Sequence, residues 1–175
     1  MMSKVPRLKN VVLLGRKPGA ARALEFLLKK GINVKLIVAP KDEPYAYTLA
    51  KAARRHGVPV FFDDAKVYRL IKKNDPLASG VDLVISYLYW RRILDPLIKL
   101  GRRGCINFHP APLPDYKGRA GYNTAILDGR KTFGVSAHFI DSEKFDSGPI
   151  IKVLRFAMDP ARETVYSLMA KTNEK

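Results

Sequence analysis

Residues 10–40 read NVVLLGRKPGAARALEFLLKKGINVKLIVAP, and they place an amphipathic helix between two apolar, β-rich runs. Asn10–Gly15 (NVVLLG) has the continuous apolar character of a strand buried on both faces, closed by a glycine turn. In residues 19–30, Ala20, Ala23, Leu24, Leu27 and Leu28 recur at helical spacing, and Gly31 is a good stop. Residues 32–39 form the second strand, closed by Pro40. A strand, a crossover helix and a second strand predict a parallel pair, so this stretch alone argues for an α/β fold.

The alternation continues outward. The pattern predicts a helix over 45–56 ended by Gly57, a strand over 58–62, a helix over 66–73, a strand over 81–89 and a helix around 95–100. Cys105–His109 is a strand that runs into Pro110, Pro112 and Pro114. Prolines at that density join neither a helix nor a sheet interior, so an ordered extended loop is expected. A helix over 120–128 stops at Gly129; strands at Thr132–Ile140 and 150–158 are close enough in sequence to pair antiparallel. Residues 162–175 form a last amphipathic helix with Val165, Leu168 and Met169 on one face.

A chain of 175 residues, 47% of them hydrophobic, is long enough for one well-buried domain and too short to expect two. The longest apolar runs, such as residues 83–90, fall well short of the ~20 residues needed to cross a bilayer, so no membrane partner is expected. Residues 1–10 (MMSKVPRLKN) do not read as a signal peptide, and the single cysteine, Cys105, excludes an internal disulfide; a cytoplasmic address follows as the simplest expectation. The formal charge of +16 is spread over pairs such as Lys29-Lys30, Arg54-Arg55 and Arg102-Arg103. Such a field attracts polyanions, RNA and nucleoside diphosphates among them, but equally describes a solvated basic surface. No aromatic RNA-binding motif accompanies it, so nucleic acid is compatible with the charge and not favoured.

Chemistry is concentrated in the second half. Strand alternation sends Cys105, Asn107 and His109 to one face, and Ile106 and Phe108, which suit a hydrophobic core, to the other. Asn107 and His109 then lie side by side at the carboxyl end of a strand, where open α/β sheets bind ligands. The amide can donate to a developing oxyanion and the imidazole can accept a proton from an attacking amine. The same pair also fits a plainly structural role, capping the proline loop.

Two further segments carry more weight: HPAPLPDYKG at 109–118, and GVSAHFID at 134–141 followed by FDSGPII at 145–151. With Asn107, their order and spacing resemble the folate-dependent formyltransferase family over residues 104–151. The resemblance implies a Rossmann-like three-layer α/β domain over residues 1–175, with a mostly parallel sheet and an antiparallel C-terminal strand pair. It implies 10-formyltetrahydrofolate as the formyl donor and Asn107, His109 and Asp146 as the catalytic triad. It further implies a pterin pocket formed by Trp90, Arg92, Ile93 and Leu94 opposite Ile140 and Asp141. His138 also matches a recurring position of the family and, at mid-strand, reads as structural support. No metal is expected, because one cysteine and three histidines at unrelated spacings form no ligand set. Whether His109 acts as base or as oxyanion donor is open at this stage.

The form HPAPLP-x-Y-K-G is similar to formyltransferases of nucleotide-linked amino sugars, which points to that class of amine acceptor. The loop after the first strand, Gly15-Arg16-Lys17-Pro18-Gly19, lacks the serine and asparagine donors of glycinamide-ribonucleotide transformylases. Transfer to methionyl-tRNA or to glycinamide ribonucleotide is the alternative, and a non-catalytic RNA-binding module is the reading of another class. The intact Asn107, His109 and Asp146 argue against that last reading. Since the final helical pattern still runs at Asn173-Glu174-Lys175, further C-terminal elements, including contacts for a homodimer, are expected beyond it.

Overall fold

A computed structural model describes residues 7–174. The reading of the first residues as no leader, and the end of the last helix at Lys175, lie outside the described residues. The strands are β1 (Asn10–Gly15), β2 (Asn33–Val38), β3 (Val60–Phe61), β4 (Leu83–Tyr87), β5 (Cys105–His109), β6 (Thr132–Ile140) and β7 (Ile150–Ala157). They form one sheet in the order β3-β2-β1-β4-β5-β6-β7. Pairing is parallel from β3 through β5 and antiparallel for β5 with β6 and β6 with β7.

The helices are α1 (Lys17–Lys29), α2 (Leu49–Arg55), α3 (Asp64–Lys72), α4 (Gly121–Leu127) and α5 (Val165–Glu174). Alternation along β1 builds the two sides of the sheet. Val11 and Leu13 pack with Ala20, Leu24 and Ala52 of α1 and α2. Val12 and Leu14 pack with Val67 of α3 and with Ile93, Leu97 and Ile98 from the β4–β5 connection. Both faces of the parallel part are thus covered, which explains why its strands are apolar without interruption. A third cluster, around Phe133, lies under α4 and α5 and includes Ala125, Met158 and Leu168.

Several expected boundaries shift for identifiable reasons. Helix α2 begins at Leu49, not at 45, because the side chain of Thr48 accepts the Lys51 N–H at 3.3 Å and caps the helix there. Helix α3 begins at Asp64, where Asp63 accepts the Ala65 N–H. The helix expected around 95–100 is instead a series of turns. The hydrogen bonds run from the Leu97 and Ile98 N–H groups to Leu94 and from Leu100 N–H to Leu97, so one turn forms and does not propagate. Leu97 and Ile98 still plug the core.

Ile106 packs into the core as expected, but Phe108 does not: it is 41% exposed, beside the ring of Tyr87. In α5, Leu168 and Thr172 are the buried residues, while Val165 and Met169 face a cleft described below. Among the described residues no helix is long and apolar enough to cross a membrane.

Phe133 is fully buried and meets the rings of Tyr116, Tyr122 and Phe156 at 5.6–6.3 Å. Phe133→Ala should therefore lower stability by about 3–5 kcal/mol, the usual range for removing a buried aromatic ring. Urea denaturation followed by circular dichroism measures this, and a loss under ~1 kcal/mol would contradict the packing described.

Candidate active site

The carboxyl ends of β4 and β5 open into a cleft of about 340 Å³. Its floor follows from strand register. Ser86 of β4, Asn107 of β5 and His138 of β6 are successive partners across three adjacent strands, so their side chains stand in one row. The row lies on the face of Leu14 and Cys105, next to the core that contains them. His109 is two residues beyond Asn107, on the same face, and only 5% exposed.

Asp146 arrives from the β6–β7 connection and completes the cluster. Its Oδ2 lies 3.4 Å from His109 Nδ1 and its Oδ1 3.3 Å from His138 Nε2. Asn107 Nδ2 is 3.1 Å from His138 Nε2 and 3.4 Å from Asp146 Oδ1. The Gly118 N–H donates to Asp146 Oδ2 at 2.8 Å. Asp146 has φ 48° and Gly118 φ 83°, so both ends of this bond sit in left-handed backbone. Aspartate tolerates that region better than most residues, and glycine takes it freely.

The proline loop is pinned from below. Ser136, the register partner of His109, is buried; its Oγ donates to the Ala111 carbonyl at 2.7 Å and accepts the Leu113 N–H at 2.8 Å. This satisfies backbone groups that the prolines leave without a ladder. The loop then brings the Tyr116 carbonyl 3.0 Å from His109 Nε2. A carbonyl only accepts, so Nε2 carries a proton and Nδ1, facing Asp146, is the basic nitrogen of the neutral ring.

Burial pushes His109 below the ordinary histidine value of 6.5, against the opposing pull of Asp146 and the Tyr116 carbonyl. Burial alone would raise the Asp146 carboxyl. Together, the His138 contact, the charge on His109 and the Gly118 N–H outweigh it and hold Asp146 below the usual 3.8. The site at neutral pH is therefore an ionised carboxylate beside an imidazole free to take a proton.

Asn107, His109 and Asp146 are thus brought together. Trp90, Arg92, Ile93 and Ile140 line the cleft, whereas Leu94 and Asp141 flank that wall without lining it. Leu94 is instead tied through its N–H to the Tyr68 hydroxyl at 3.0 Å. The Arg92 guanidinium lies 5.1 Å from the centre of the Phe145 ring, joining the two walls. Arg16, Lys17, Asn123 and Met169 also line the cleft, and the Arg119 guanidinium donates to the Trp90 carbonyl at 3.1 Å. Burial first, and the neighbouring Arg16 second, lower the Lys17 ammonium from its ordinary value. Sequence reasoning missed Ser86 altogether and met Gly118 and Ser136 only as positions within the segments 109–118 and 134–141. The available signal was a lone hydroxyl within an apolar strand, LVISY. Among the described residues no group of histidine, cysteine and acidic side chains is arranged to hold a metal ion.

The sequence profile of the formyl transferase family matches residues 9–175, and the chain belongs to that family. Methionyl-tRNA formyltransferase of Thermotoga maritima is 30% identical over 162 residues, which cover 86% of this chain and 50% of that protein. The chain therefore spans about half the length of this curated relative. The crystal structure of phosphoribosylglycinamide formyltransferase from Bacillus halodurans superposes with a TM-score of 0.77 at 23% identity, over 95% of this chain and 88% of that one. An N-formyltransferase from Helicobacter canadensis, solved with folinic acid and dTDP-3-aminofucose, gives a TM-score of 0.73 at 21% identity, over 96% and 59% of the two chains.

Two consequences for pH follow. Followed by NMR of its ring protons, His109 should titrate below 6.5, and Asp146→Asn should move its midpoint further down, because the carboxylate raises it. With the folded value of His109 depressed, the unfolded chain takes up the proton first as pH falls below 6.5, so this group's effect on stability is absent above that value and unfavourable below it. A midpoint above 6.5 would mean that the Asp146 carboxylate outweighs burial and would overturn the depressed basicity assigned to His109.

Proposed function

We propose that the chain transfers a formyl group from 10-formyltetrahydrofolate to an amine on an anionic acceptor, with a nucleoside-diphosphate-linked amino sugar as the leading acceptor class. The observation that carries the reading is the meeting of three side chains at the floor of a cleft, where Asp146 lies 3.4 Å from Asn107 Nδ2 and 3.4 Å from His109 Nδ1. The two ends of that cleft suit two different molecules. One end, walled by Trp90, Ile93, Ile140 and the Arg92–Phe145 pair, suits a flat pterin ring held by apolar walls. Arg16 and Lys17, which enter the cleft from the start of α1, suit a diphosphate at the other end.

In the mechanism, the acceptor amine attacks the formyl carbon and a new C–N bond forms. The carbonyl oxygen becomes an oxyanion, to which the Asn107 amide donates. His109 Nδ1 takes the proton that the amine loses, and Asp146 stabilises the imidazolium across 3.4 Å. The bond from the formyl carbon to the folate nitrogen then breaks, the carbonyl reforms, and the proton passes to that nitrogen. The products are the formamide and tetrahydrofolate. The depressed basicity of His109 suits this role, because the ring is ready to accept a proton at neutral pH.

A second reading, transfer to methionyl-tRNA, is favoured by the 30% identity to the Thermotoga maritima protein and by the charge of +16. Incubating the chain with 10-formyltetrahydrofolate and a panel of amine acceptors, followed by mass spectrometry, tests the proposal. A nucleotide-linked amino sugar should gain one formyl group. Formylation of methionyl-tRNA alone would overturn the acceptor class, and no formylation of any amine would overturn the activity.

Asn107→Ala and His109→Ala should each lower turnover by at least ~100-fold with the fold intact, since one lost oxyanion donor typically costs about 3 kcal/mol of barrier. Near-normal turnover in either folded variant would remove the catalytic assignment.

A further inference from the structure

We propose that Ser86 is a positioning residue of this site: by donating to Asn107 Oδ1, its hydroxyl locks the amide in the sense that His138 and Asp146 select, with Nδ2 toward the reacting centre. This rests on the reading of Asn107 as the oxyanion donor. The two ends of a carboxamide are nearly equal in size, so packing cannot orient it; only hydrogen bonds can.

The order of the hydrogen bonds is set from one end. The Phe139 carbonyl lies 2.9 Å from His138 Nδ1 and can only accept, so that nitrogen carries a proton. Nε2 of the singly protonated ring is then an acceptor, and the Asn107 Nδ2 group donates to it at 3.1 Å. Asn107 Oδ1 consequently turns the other way, to Ser86, whose Oγ donates to it at 2.8 Å. One nitrogen cannot both accept from Asn107 and donate to Asp146. The Asp146 contact is the longer, at 3.3 Å, and Asp146 Oδ1 is reached by Asn107 Nδ2 itself at 3.4 Å.

Ser86 is only 3% exposed at the floor of the cleft, so water competes little with its hydroxyl for Asn107 Oδ1. Without that hydroxyl the buried Oδ1 loses its donor. A flipped amide would then set oxygen against the His138 lone pair and the Asp146 carboxylate, and would repel the oxyanion it should stabilise. Ser86 lines the floor of the cleft with its hydroxyl engaged by Asn107 Oδ1, so its effect should fall on turnover and not on binding.

The test is a double-mutant cycle with Asn107. Ser86→Ala should lower kcat roughly 10-fold with KM for the formyl donor unchanged, and Ser86→Thr, which keeps the hydroxyl, should restore most of it. In an Asn107→Ala background Ser86→Ala should have no further effect. An equal loss in that background, an effect on KM alone, or full activity of Ser86→Ala each overturns the proposal. The side-chain amide of Asn107, followed by nitrogen-15 NMR, gives a second reading that needs no activity. Its two protons should be distinct and slow to exchange in the parent chain and lose that protection in Ser86→Ala; unchanged signals would overturn the assignment. If the parent chain transfers no formyl group, the proposed function fails by itself and the amide spectrum still decides the role of Ser86. Should Ser86→Ala not fold, Ser86→Cys, with similar volume and a much weaker donor, takes its place in both measurements.

Discussion

Every polar group of the site depends on the register of β5, which pairs in parallel with β4 on one side and antiparallel with β6 on the other. The parallel partner sets Ser86 beside Asn107, and the antiparallel partner sets His138 beside Asn107 and Ser136 beside His109. A slip of one residue on either side would send these side chains to the opposite face. The apolar residues around them guard against that slip. Val84 and Cys105 are neighbours in register and are buried in the same core, so a displaced strand would put both into the wrong layer.

The cluster places one carboxylate between two imidazoles in a chain of charge +16. Long-range charge is screened within about 10 Å at ordinary ionic strength, so the distant lysines and arginines cannot keep Asp146 ionised. What holds it is local: the Gly118 N–H donates to it at 2.8 Å, and a ring that takes up a proton within 3.4 Å stabilises it further. The general charge acts instead on encounter with anionic molecules, and the basic residues at the acceptor end of the cleft act on their seating. These are separate effects, and only the second depends on the fold.

Much of this was legible in the sequence where one physical rule dominated. Period-two alternation put Asn107 and His109 on one face, and β5 and β6 have the bounds the pattern predicts. Alternation could not say what the opposite face meets, and Phe108 proved to be half exposed instead of buried in the core. Apolar spacing over 95–100 is shared by a helix and by packed turns, and here the turns carry Leu97 and Ile98 into the core. Ser86 was hidden for a different reason. Its role comes from pairing with Asn107, twenty-one residues away, and a single hydroxyl in an apolar strand has no local pattern. Likewise Leu94 and Asp141 follow lining residues in the chain, yet adjacency does not bring them to the wall.

The two loops that close the site are not independent. The proline loop is anchored to β6 by both hydrogen bonds of Ser136, and its far end, at Gly118, holds the carboxylate of Asp146. The same loop presents the Tyr116 carbonyl that fixes which nitrogen of His109 carries the proton. A displacement of this loop would therefore do two things together: free the Asp146 carboxylate and release the His109 tautomer. The geometry of the base and the geometry of its partner carboxylate are set by one backbone segment. This accounts for Pro110, Pro112 and Pro114, since a chain with few accessible conformations holds both contacts with a smaller loss of entropy on folding.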